Sequence, residues 1–261
     1  MLFNRAHSGT TLTTAGDYLL PRAQKLLADA AETREGLAGF RTGYHDRLRM
    51  ASVLGPLQSW LPDALAEFAQ LFPHVQLQVR IAPAVNDILT QVAAGERDLG
   101  VVSLRPSAPA RSRHDALEQT VILDEDLVVL APAGHSLAQL AYVGQADLRE
   151  TPLILFPPDY YVRQITEDWT RRGGYAPIVA AELGTIEAIV RLVIAGVGVA
   201  IVPRSLARLG LASGLPVLSF DPDDSPRRIV AAVYMRQGRA AELVRSMLAL
   251  METHAREASR R

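Results

Sequence analysis

Hydroxyl, guanidinium and aromatic side chains follow the ends of several predicted strands. In an open α/β sheet, ligands bind beyond the carboxyl ends of the strands, and a helix that begins there offers free N–H groups to an anion. Ser103 follows one buried strand, Tyr160 follows another, and Thr185 is a natural N-cap before a helix. Together these groups predict a site for a small anion with an apolar or aromatic body. The predicted binding residues are Val53, Leu54, Gly55, Ser103, Arg105, Pro157, Tyr160, Arg163 and Thr185.

Each of these residues also has a purely structural interpretation. Gly55 and the proline after it are typical of a simple helix start, and Thr185 is typical of a cap with no further role. The hydroxyl of Ser103 would then bond only to backbone. The arginines and tyrosines of the set would be solvated surface side chains. The sequence alone leaves both interpretations open.

The composition excludes several kinds of chemistry. These 261 residues contain no cysteine, which excludes disulfides, iron–sulfur clusters and thiolate zinc sites. The sequence has no His-x-x-x-His pair, Gly-x-Ser-x-Gly elbow, phosphate loop or dinucleotide fingerprint. We therefore expect no enzyme activity, no metal site and no cofactor. The acidic run at 124–126 is interpreted as a solvated turn, with a metal or hinge contact as the alternatives.

The charge and hydropathy of the chain bear on its partners and location. The formal net charge is −1, which is unlike that of a free-standing nucleic-acid binder. No apolar run approaches the roughly 20 residues that a membrane-spanning helix needs. No signal-peptide pattern opens the sequence. We expect a cytoplasmic protein that does not contact a membrane.

Strands and helices alternate along most of the chain, which predicts βαβ units and two mostly parallel sheets. A helix, a glycine and an apolar strand occur together twice, at 92–102 and at 193–202. Two extended stretches, 121–132 and 227–235, would join the halves, so the chain leaves the first lobe, builds the second and returns. The predicted fold class is α/β, with two Rossmann-like lobes joined by two crossovers. Lobe I is predicted at 47–126 and 227–256, and lobe II at 127–226.

The start of the chain predicts a short hairpin and one long helix. Residues 1–12 are predicted to form two short strands joined by a turn. The helix is predicted within 13–46, with a threonine at its N-cap and Asp17 in its first turn. Small or apolar residues recur along it at alternating steps of four and three, which is typical of two helices wrapped together. The alternative is an amphipathic helix packed on its own domain. The predicted dimer contacts are Leu19, Ala23, Leu26, Ala30 and Leu37.

Several phrases of this sequence resemble LysR-type transcriptional regulators. LF-x-R at 2–5 and LTTAGDYLL at 12–20 resemble the wing and the start of the linker helix in that family. LRMASVLGPL at 48–57 resembles the start of the effector domain. AGERDLGVV at 94–102 resembles the phrase G-x-x-D-L-G-I, and VIAGVGVAIVP at 193–203 resembles V-x-x-G-x-G-I-x-x-L-P. Each phrase is weak alone, but their order and spacing are specific.

The resemblance implies a fold like that of periplasmic solute-binding proteins, with an effector between two lobes. It also implies a dimer or tetramer that switches transcription when a small molecule binds. Contacts of the wing with DNA phosphates would position the protein rather than read sequence. These contacts would come from Asn4, Arg5, His7 and Thr10. Most of the helix-turn-helix that precedes the wing in this family is absent from the sequence, which predicts an N-terminally truncated regulator.

The predicted function is therefore that of a LysR-family regulator that binds a small, anionic effector between its lobes. It would bind promoter DNA where the missing helix-turn-helix is supplied. The alternative is a cytoplasmic small-molecule-binding protein, or a dominant-negative partner without DNA binding of its own. An enzyme on the same two-lobed fold and an exported solute-binding protein are the remaining rivals.

Overall fold

The computed structural model describes residues 1–6, 9–39, 46–82, 84–104, 117–236 and 240–260. They form a hairpin, a long helix and a two-lobed α/β body. The strands are β1 Phe3–Ala6, β2 Gly9–Leu12, β3 Asp46–Ser52, β4 Val75–Ile81, β5 Leu99–Leu104, β6 Leu117–Leu130, β7 Pro152–Leu155, β8 Ile178–Glu182, β9 Val199–Pro203, β10 Val217–Ser219 and β11 Arg227–Met235. The helices are α1 Thr14–Gly39, α2 Leu54–Leu57, α3 Leu61–Leu71, α4 Val85–Ala93, α5 Gln145–Leu148, α6 Tyr161–Arg172, α7 Ile186–Ile194, α8 Arg204–Ala207 and α9 Ala241–Arg260.

The N-terminal hairpin leads directly into α1, as the sequence predicted. β1 and β2 pair antiparallel, with Phe3 opposite Leu12. The Thr13 hydroxyl accepts a hydrogen bond from the Gly16 N–H at 3.1 Å, so Thr13 satisfies one of the free donors at the helix start. The described part of α1 ends at Gly39. No helix in the described ranges is long and apolar enough to cross a membrane.

Lobe I is a sheet with helices on both faces. Its strand order is β4-β3-β5-β11-β6, where β3 is parallel to β4 and β5 while β11 is antiparallel to its neighbours. One face packs against α3 and α9 around Trp60, Phe68 and Met247. The other packs against α4 around Ile88 and Val92. Every residue of β5 is buried because both faces of this strand are covered, as its continuous apolar run predicted.

Lobe II has a second core of its own, which contains only residues between 127 and 220. β9 and β8 lie on either side of β7 and run parallel to it, while the end of β6 is antiparallel to β9 and to β10. The indole N–H of Trp169 on α6 donates to the Asp224 carbonyl at 2.7 Å, and its ring packs edge-on against Phe220. Helix α7 packs on β7 and β9.

The two lobes share one strand, which lies where the stretch 121–132 was expected to join them. The sequence analysis did not foresee that this strand pairs with strands of both lobes. β6 is 14 residues long; it pairs with β11 as far as Asp126 and with β9 from Leu127 onward. The hydrogen-bonded strand path is therefore continuous from β4 to β8, where two separate sheets were expected. The lobes nevertheless keep separate cores. β6 and β11 are the two crossovers, and together they form the hinge.

One predicted helix is divided. The apolar pattern at 57–72 predicts a single helix, with Pro62 inside it or at a kink, but the structure has α2 at Leu54–Leu57 and α3 at Leu61–Leu71. Pro62 lies in the first turn of α3, where its missing N–H costs nothing. In a continuous helix Pro62 would have no N–H for the carbonyl of Gln58 and its ring would clash with that carbonyl, so the chain starts a new helix here rather than continuing the old one.

Candidate functional site: the cleft between the lobes

A cavity of about 70 Å³ lies between the two lobes, where strands from both of them end. Lobe I contributes the loop after β3, the end of β4 and the end of β5. Lobe II contributes the loop after β7 and the start of α8. From lobe I the cavity is lined by Val53, Leu54, Gly55, Gln58, Ile81 and Ser103. From lobe II and the hinge it is lined by Phe156, Tyr160, Tyr161, Val162, Leu206 and Arg228.

The structure brings together five of the predicted binding residues. They are Val53, Leu54, Gly55, Ser103 and Tyr160. The first three are fixed to the sheet because the Val53 N–H donates to the Val101 carbonyl at 3.0 Å. They open α2, as the sequence suggested, but α2 has only one turn. The N–H groups at the start of such a short helix carry little of the dipole that favours anions at longer helices.

Three predicted residues do not line the cavity. Pro157 is half-buried beside it. Thr185 is exposed and acts as a cap, since its hydroxyl accepts from the Ala188 N–H at 3.5 Å. Arg163 is buried inside lobe II. Its Nε donates to Glu167 at 2.7 Å, and its Nη1 donates to Glu182 at 2.9 Å and to the Phe156 carbonyl at 3.1 Å.

The environment of Arg163 explains why this residue stabilises lobe II rather than binding a ligand. Burial alone would lower the pKa of Arg163, but the hydrogen bonds to Glu182 and Glu167 outweigh it, so that the pKa is raised. The guanidinium therefore remains charged between its two carboxylates. A fourth predicted residue, Arg105, lies outside the described residues.

Tyr160 connects the two loops of lobe II that face the cleft. Its hydroxyl donates to the Gly184 carbonyl at 3.2 Å, and its ring stacks on Phe156 with the ring centres 5.5 Å apart. Burial raises the pKa of Tyr160, and the charge of Asp159 raises it further. The phenol is therefore a neutral donor over the physiological pH range. Its ring and that of Phe156 give lobe II an aromatic surface toward the cavity.

The most informative residue that sequence reasoning missed is Arg228 on β11. Its Nε donates to Glu125 Oε1 at 2.7 Å, and only 2% of its side chain is exposed. Glu125 is fully buried opposite it on β6. The same carboxylate accepts from the Ser205 N–H at 2.9 Å and from the Ser205 hydroxyl at 3.2 Å. Glu125 therefore connects the hinge to helix α8 of lobe II.

The acidic run at 124–126 lies within β6 and is a hinge contact, so the expected solvated turn is wrong. Arg227 contacts both Asp124 and Asp126 at 3.1 Å, and Arg204 lies 4.0 Å from Asp126. Within the described ranges, no cluster of three or more His, Asp or Glu side chains has the arrangement of a metal site. An acidic run on one crossover strand and two consecutive arginines on the other were the available signal. It could be used only once the antiparallel register placed Arg228 opposite Glu125.

The remaining residues missed by the sequence analysis are mainly apolar. Ile81, Phe156, Val162 and Leu206 have the same residue types as the core. Their exposure to the cavity depends on how the two lobes pack together. The spacing of apolar residues in the sequence does not predict that packing.

The hairpin and α1 present the other predicted interaction residues. Asn4 and Thr10 are exposed. On α1, Leu19 and Leu26 are 42% and 69% exposed, Ala30 is exposed and Ala23 is half-buried. Their neighbours Leu20 and Leu27 are also exposed, so the apolar surface is broader than the predicted seam. His7 and the side chains of Arg5 and Leu37 lie outside the described residues.

The fold and the cleft define a two-lobed ligand-binding domain, and comparison with known proteins identifies its family. Residues 41–256 match the family description "LysR substrate binding domain". The chain belongs to this family, as the sequence resemblance indicated.

Three relatives illustrate the similarity. The HTH-type transcriptional regulator GltR of Bacillus subtilis is 29% identical over 205 residues, which are 78% of this chain and 65% of GltR. A cysteine mutant of OxyR from Corynebacterium glutamicum has a TM-score of 0.71 at 23% identity, covering 99% of this chain and 79% of that one. The BenM effector binding domain with its effector benzoate has a TM-score of 0.65 at 20% identity, covering 80% and 92%. The chain spans just under two thirds of the length of GltR.

Proposed function

We propose that this chain is the effector-sensing part of a LysR-family transcriptional regulator. A small anionic molecule binds in the cleft, changes the angle between the lobes at the β6–β11 hinge, and thereby controls transcription in the bacterial cytoplasm. In this proposal lobe I comprises 47–126 and 227–256, and lobe II comprises 127–226. The protein acts by binding rather than by catalysis, without a metal or cofactor.

The cavity carries this proposal because its walls come from both lobes and from the hinge. Val53, Gly55 and Ser103 belong to one lobe, whereas Phe156 and Tyr160 belong to the other. A ligand that contacts both walls stabilises the closed arrangement by its differential affinity for that arrangement. The absence of cysteine from these 261 residues supports non-covalent sensing, since thiol oxidation is not available to the chain.

Helix α1 supports the regulatory half of the proposal. Exposed leucines such as Leu19 and Leu26 would be buried against α1 of a second copy. The hairpin at its start would lie against DNA phosphates in the assembled regulator. We expect Leu19→Glu with Leu26→Glu to convert dimers to monomers in analytical ultracentrifugation, while Asp17→Lys, on the opposite face of the same helix, should not. Unchanged sedimentation of the double variant would contradict the proposed interface.

Ligand binding is tested by a thermal-shift screen of small metabolites against the complete chain. A ligand of the cleft should raise the melting temperature of the wild type, because binding only to the folded state stabilises it. The stabilisation should be reduced in Ser103→Ala and in Tyr160→Ala. Equal stabilisation of wild type and both variants by every active compound would place binding elsewhere and contradict the proposal.

The regulatory activity is tested by a gel-shift assay with this chain alone and mixed with a full-length homologue. Altered mobility of promoter DNA in the mixture, compared with the homologue alone, is expected if the chain enters the regulator's dimers. The absence of any effect would exclude such mixed dimers.

A further inference from the structure

Arg228 has unused hydrogen-bonding capacity at the wall of the cleft. Its Nε is bonded to Glu125, and its Nη2 lies 2.6 Å from the same carboxylate oxygen without an aligned hydrogen bond. Nη1 points toward the loop of lobe I, because a Cβ built on Gly55 would lie 2.9 Å from it. Among the described residues, no acceptor bonds to Nη1. A buried guanidinium therefore presents free N–H donors to the cavity.

The ion-paired side chains of the hinge are balanced in charge, and the exposed Arg208 adds one positive charge near them. Ion pairs join the crossover strands to the start of α8, and Arg208 lies close enough to Glu125 and Arg204 for their charges to act on it. The positive groups are Arg204, Arg208, Arg227 and Arg228, and the negative groups are Asp124, Glu125 and Asp126. Ser205 also donates two hydrogen bonds to Glu125, which stabilise that carboxylate independently of Arg228. Of the described residues that line the cavity, only Arg228 is charged.

The same chain contains an arginine that bonds two carboxylates at once. Arg163 donates from Nε to Glu167 and from Nη1 to Glu182. Arg228 has the first of these bonds, to Glu125, and lacks the second. The planar guanidinium allows both bonds without a change of side-chain conformation, because its N–H groups point in different directions in one plane.

Apart from the uncharged Gln58 and Ser103, the rest of the cavity wall is apolar or aromatic. Ile81, Val162 and Leu206 contribute aliphatic surface, and the stacked rings of Phe156 and Tyr160 contribute a flat one. A ligand with more than one charge would leave its second charge unpaired against this surface, which is costly. This wall therefore favours a molecule with one charged end and an apolar body.

We infer that Arg228 is the residue that recognises the effector, and that the effector is a monocarboxylate with an apolar or aromatic body. The carboxylate accepts from Nη1 in the position that Glu182 takes at Arg163. Glu125 is a positioning residue that holds the guanidinium and, through Ser205, links the bound anion to lobe II. This inference rests on the proposed binding of a small anion in the cleft.

Small monocarboxylates from acetate to phenylacetate, benzoate among them, provide the test, each paired with its neutral amide. Dissociation constants are measured by calorimetry on the full chain. We expect at least one acid to bind about tenfold or more tightly than its amide, since hydrogen bonds between charged partners are stronger than neutral ones. The dianion phthalate should bind less tightly than benzoate.

Two variants locate the bound carboxylate. Arg228→Gln combined with Glu125→Gln removes both charges of the pair, so no buried charge is left unpaired. Gly55→Ala keeps the charges but forces Nη1 to move. Each should weaken binding of the acid about tenfold, while Gly210→Ala, where a Cβ has no neighbour within 4 Å, should not.

The possible outcomes separate this inference from the proposed function. Loss of acid binding in both variants supports Arg228 as the recognition residue. If amides bind as tightly as acids, or if the double variant retains acid affinity, the inference is overturned although cleft binding remains. If no monocarboxylate binds while the metabolite screen finds another cleft ligand, the inference alone fails. If that screen finds no cleft ligand, the proposed function fails as well.

Discussion

Gln58 and Glu187 form a hydrogen bond across the mouth of the cleft, from Gln58 Nε2 to Glu187 Oε2 at 3.0 Å. Gln58 follows α2 in lobe I, and Glu187 lies in the first turn of α7 in lobe II. The contact is exposed and involves one charge, so it contributes at most about 1 kcal/mol. A contribution of that size can shift the balance between open and closed lobes several-fold without holding them shut.

Glu187→Ala should therefore favour open arrangements of the ligand-free protein. The distance between two spin labels, on cysteines introduced at Leu71 and Arg171, would report the opening. Because the chain has no native cysteine, labelling would be confined to these sites. Glu242→Ala on α9, with a side chain 92% exposed, is the matched control. Identical distance distributions for wild type and Glu187→Ala would mean that the contact has no influence on closure.

Gly100 lies where lobe I has no room for a side chain. A Cβ there would come within 2.4 Å of Ile88 Cγ2 and 2.7 Å of Val233 Cγ2. We expect Gly100→Ala to lower the free energy of unfolding by about 1–3 kcal/mol, since both neighbours are fixed in the core. Urea denaturation monitored by circular dichroism measures this change. Gly210→Ala, in open space, should stay within about 0.5 kcal/mol of wild type, and equal losses in both variants would contradict the argument.

Most of the fold could be predicted because the spacing of apolar residues along the chain identifies its helices and strands. The continuous apolar run at 99–103 predicts β5, and the alternation of apolar and polar residues at 75–81 predicts β4. The repeated helix–glycine–strand unit predicts the two lobes. The division of α2 from α3 was missed because the apolar spacing on either side of Pro62 continues as though one helix ran through. The sharing of β6 was missed because pairing with two partners in succession leaves no local trace.

The candidate site was harder to predict than the fold. The predicted strand ends at Val53, Ser103 and Phe156 lie at the cavity, since topology fixes which edge of the sheet they occupy, whereas Thr185 does not line it. Whether a side chain then points into the cavity depends on its neighbours. Arg163 turns into lobe II because Glu167 and Glu182 bind it there, whereas Arg228 reaches the cavity because its register places it beside Glu125. The spacing of Arg163 and Glu167 on one helix is local, but the contact with Glu182 and the register of Arg228 with Glu125 are not visible before the strands and helices are assembled.

Arg163 should matter for stability rather than for ligand recognition. Arg163→Met leaves Glu167 and Glu182 without their shared partner, but both carboxylates can be hydrated because they are 35% and 44% exposed. We expect a loss of about 1–3 kcal/mol in the free energy of unfolding, less than for a pair that is buried on both sides. Urea denaturation measures the loss, and calorimetry should find ligand affinity little changed.

The control for this prediction lies on the same helix. Arg171 is 70% exposed, so Arg171→Met should change stability by less than about 0.5 kcal/mol. If Arg163→Met were as stable as Arg171→Met but bound ligand more weakly, Arg163 would belong to the binding site as the sequence first suggested.

The buried side chain of Tyr175 should make the stability of lobe II depend on pH in the alkaline range. Its hydroxyl oxygen is buried and makes no hydrogen bond within the described ranges, while the Arg149 guanidinium lies 5.0 Å from the ring centre. Burial raises the pKa of Tyr175 to about 12, and the charge of Arg149 opposes this rise. An unfolded tyrosine has a pKa of about 10. The folded protein therefore retains this proton at pH values where the unfolded chain releases it.

Tyr175 should therefore contribute stability that is fully present below pH 10 and is lost as the pH rises from about 10 to 12, because the folded state binds more protons in that range. Replacing it by phenylalanine removes the titrating group, so Tyr175→Phe should lose less stability than wild type between pH 9 and pH 11. At pH 8 the variant should be at least as stable, since the removed hydroxyl has no partner to lose. Urea denaturation at each pH measures both effects, with Tyr142→Phe, at a 54% exposed tyrosine, as the control. Parallel pH profiles for wild type and Tyr175→Phe would show that the phenol titrates alike in the folded and unfolded states.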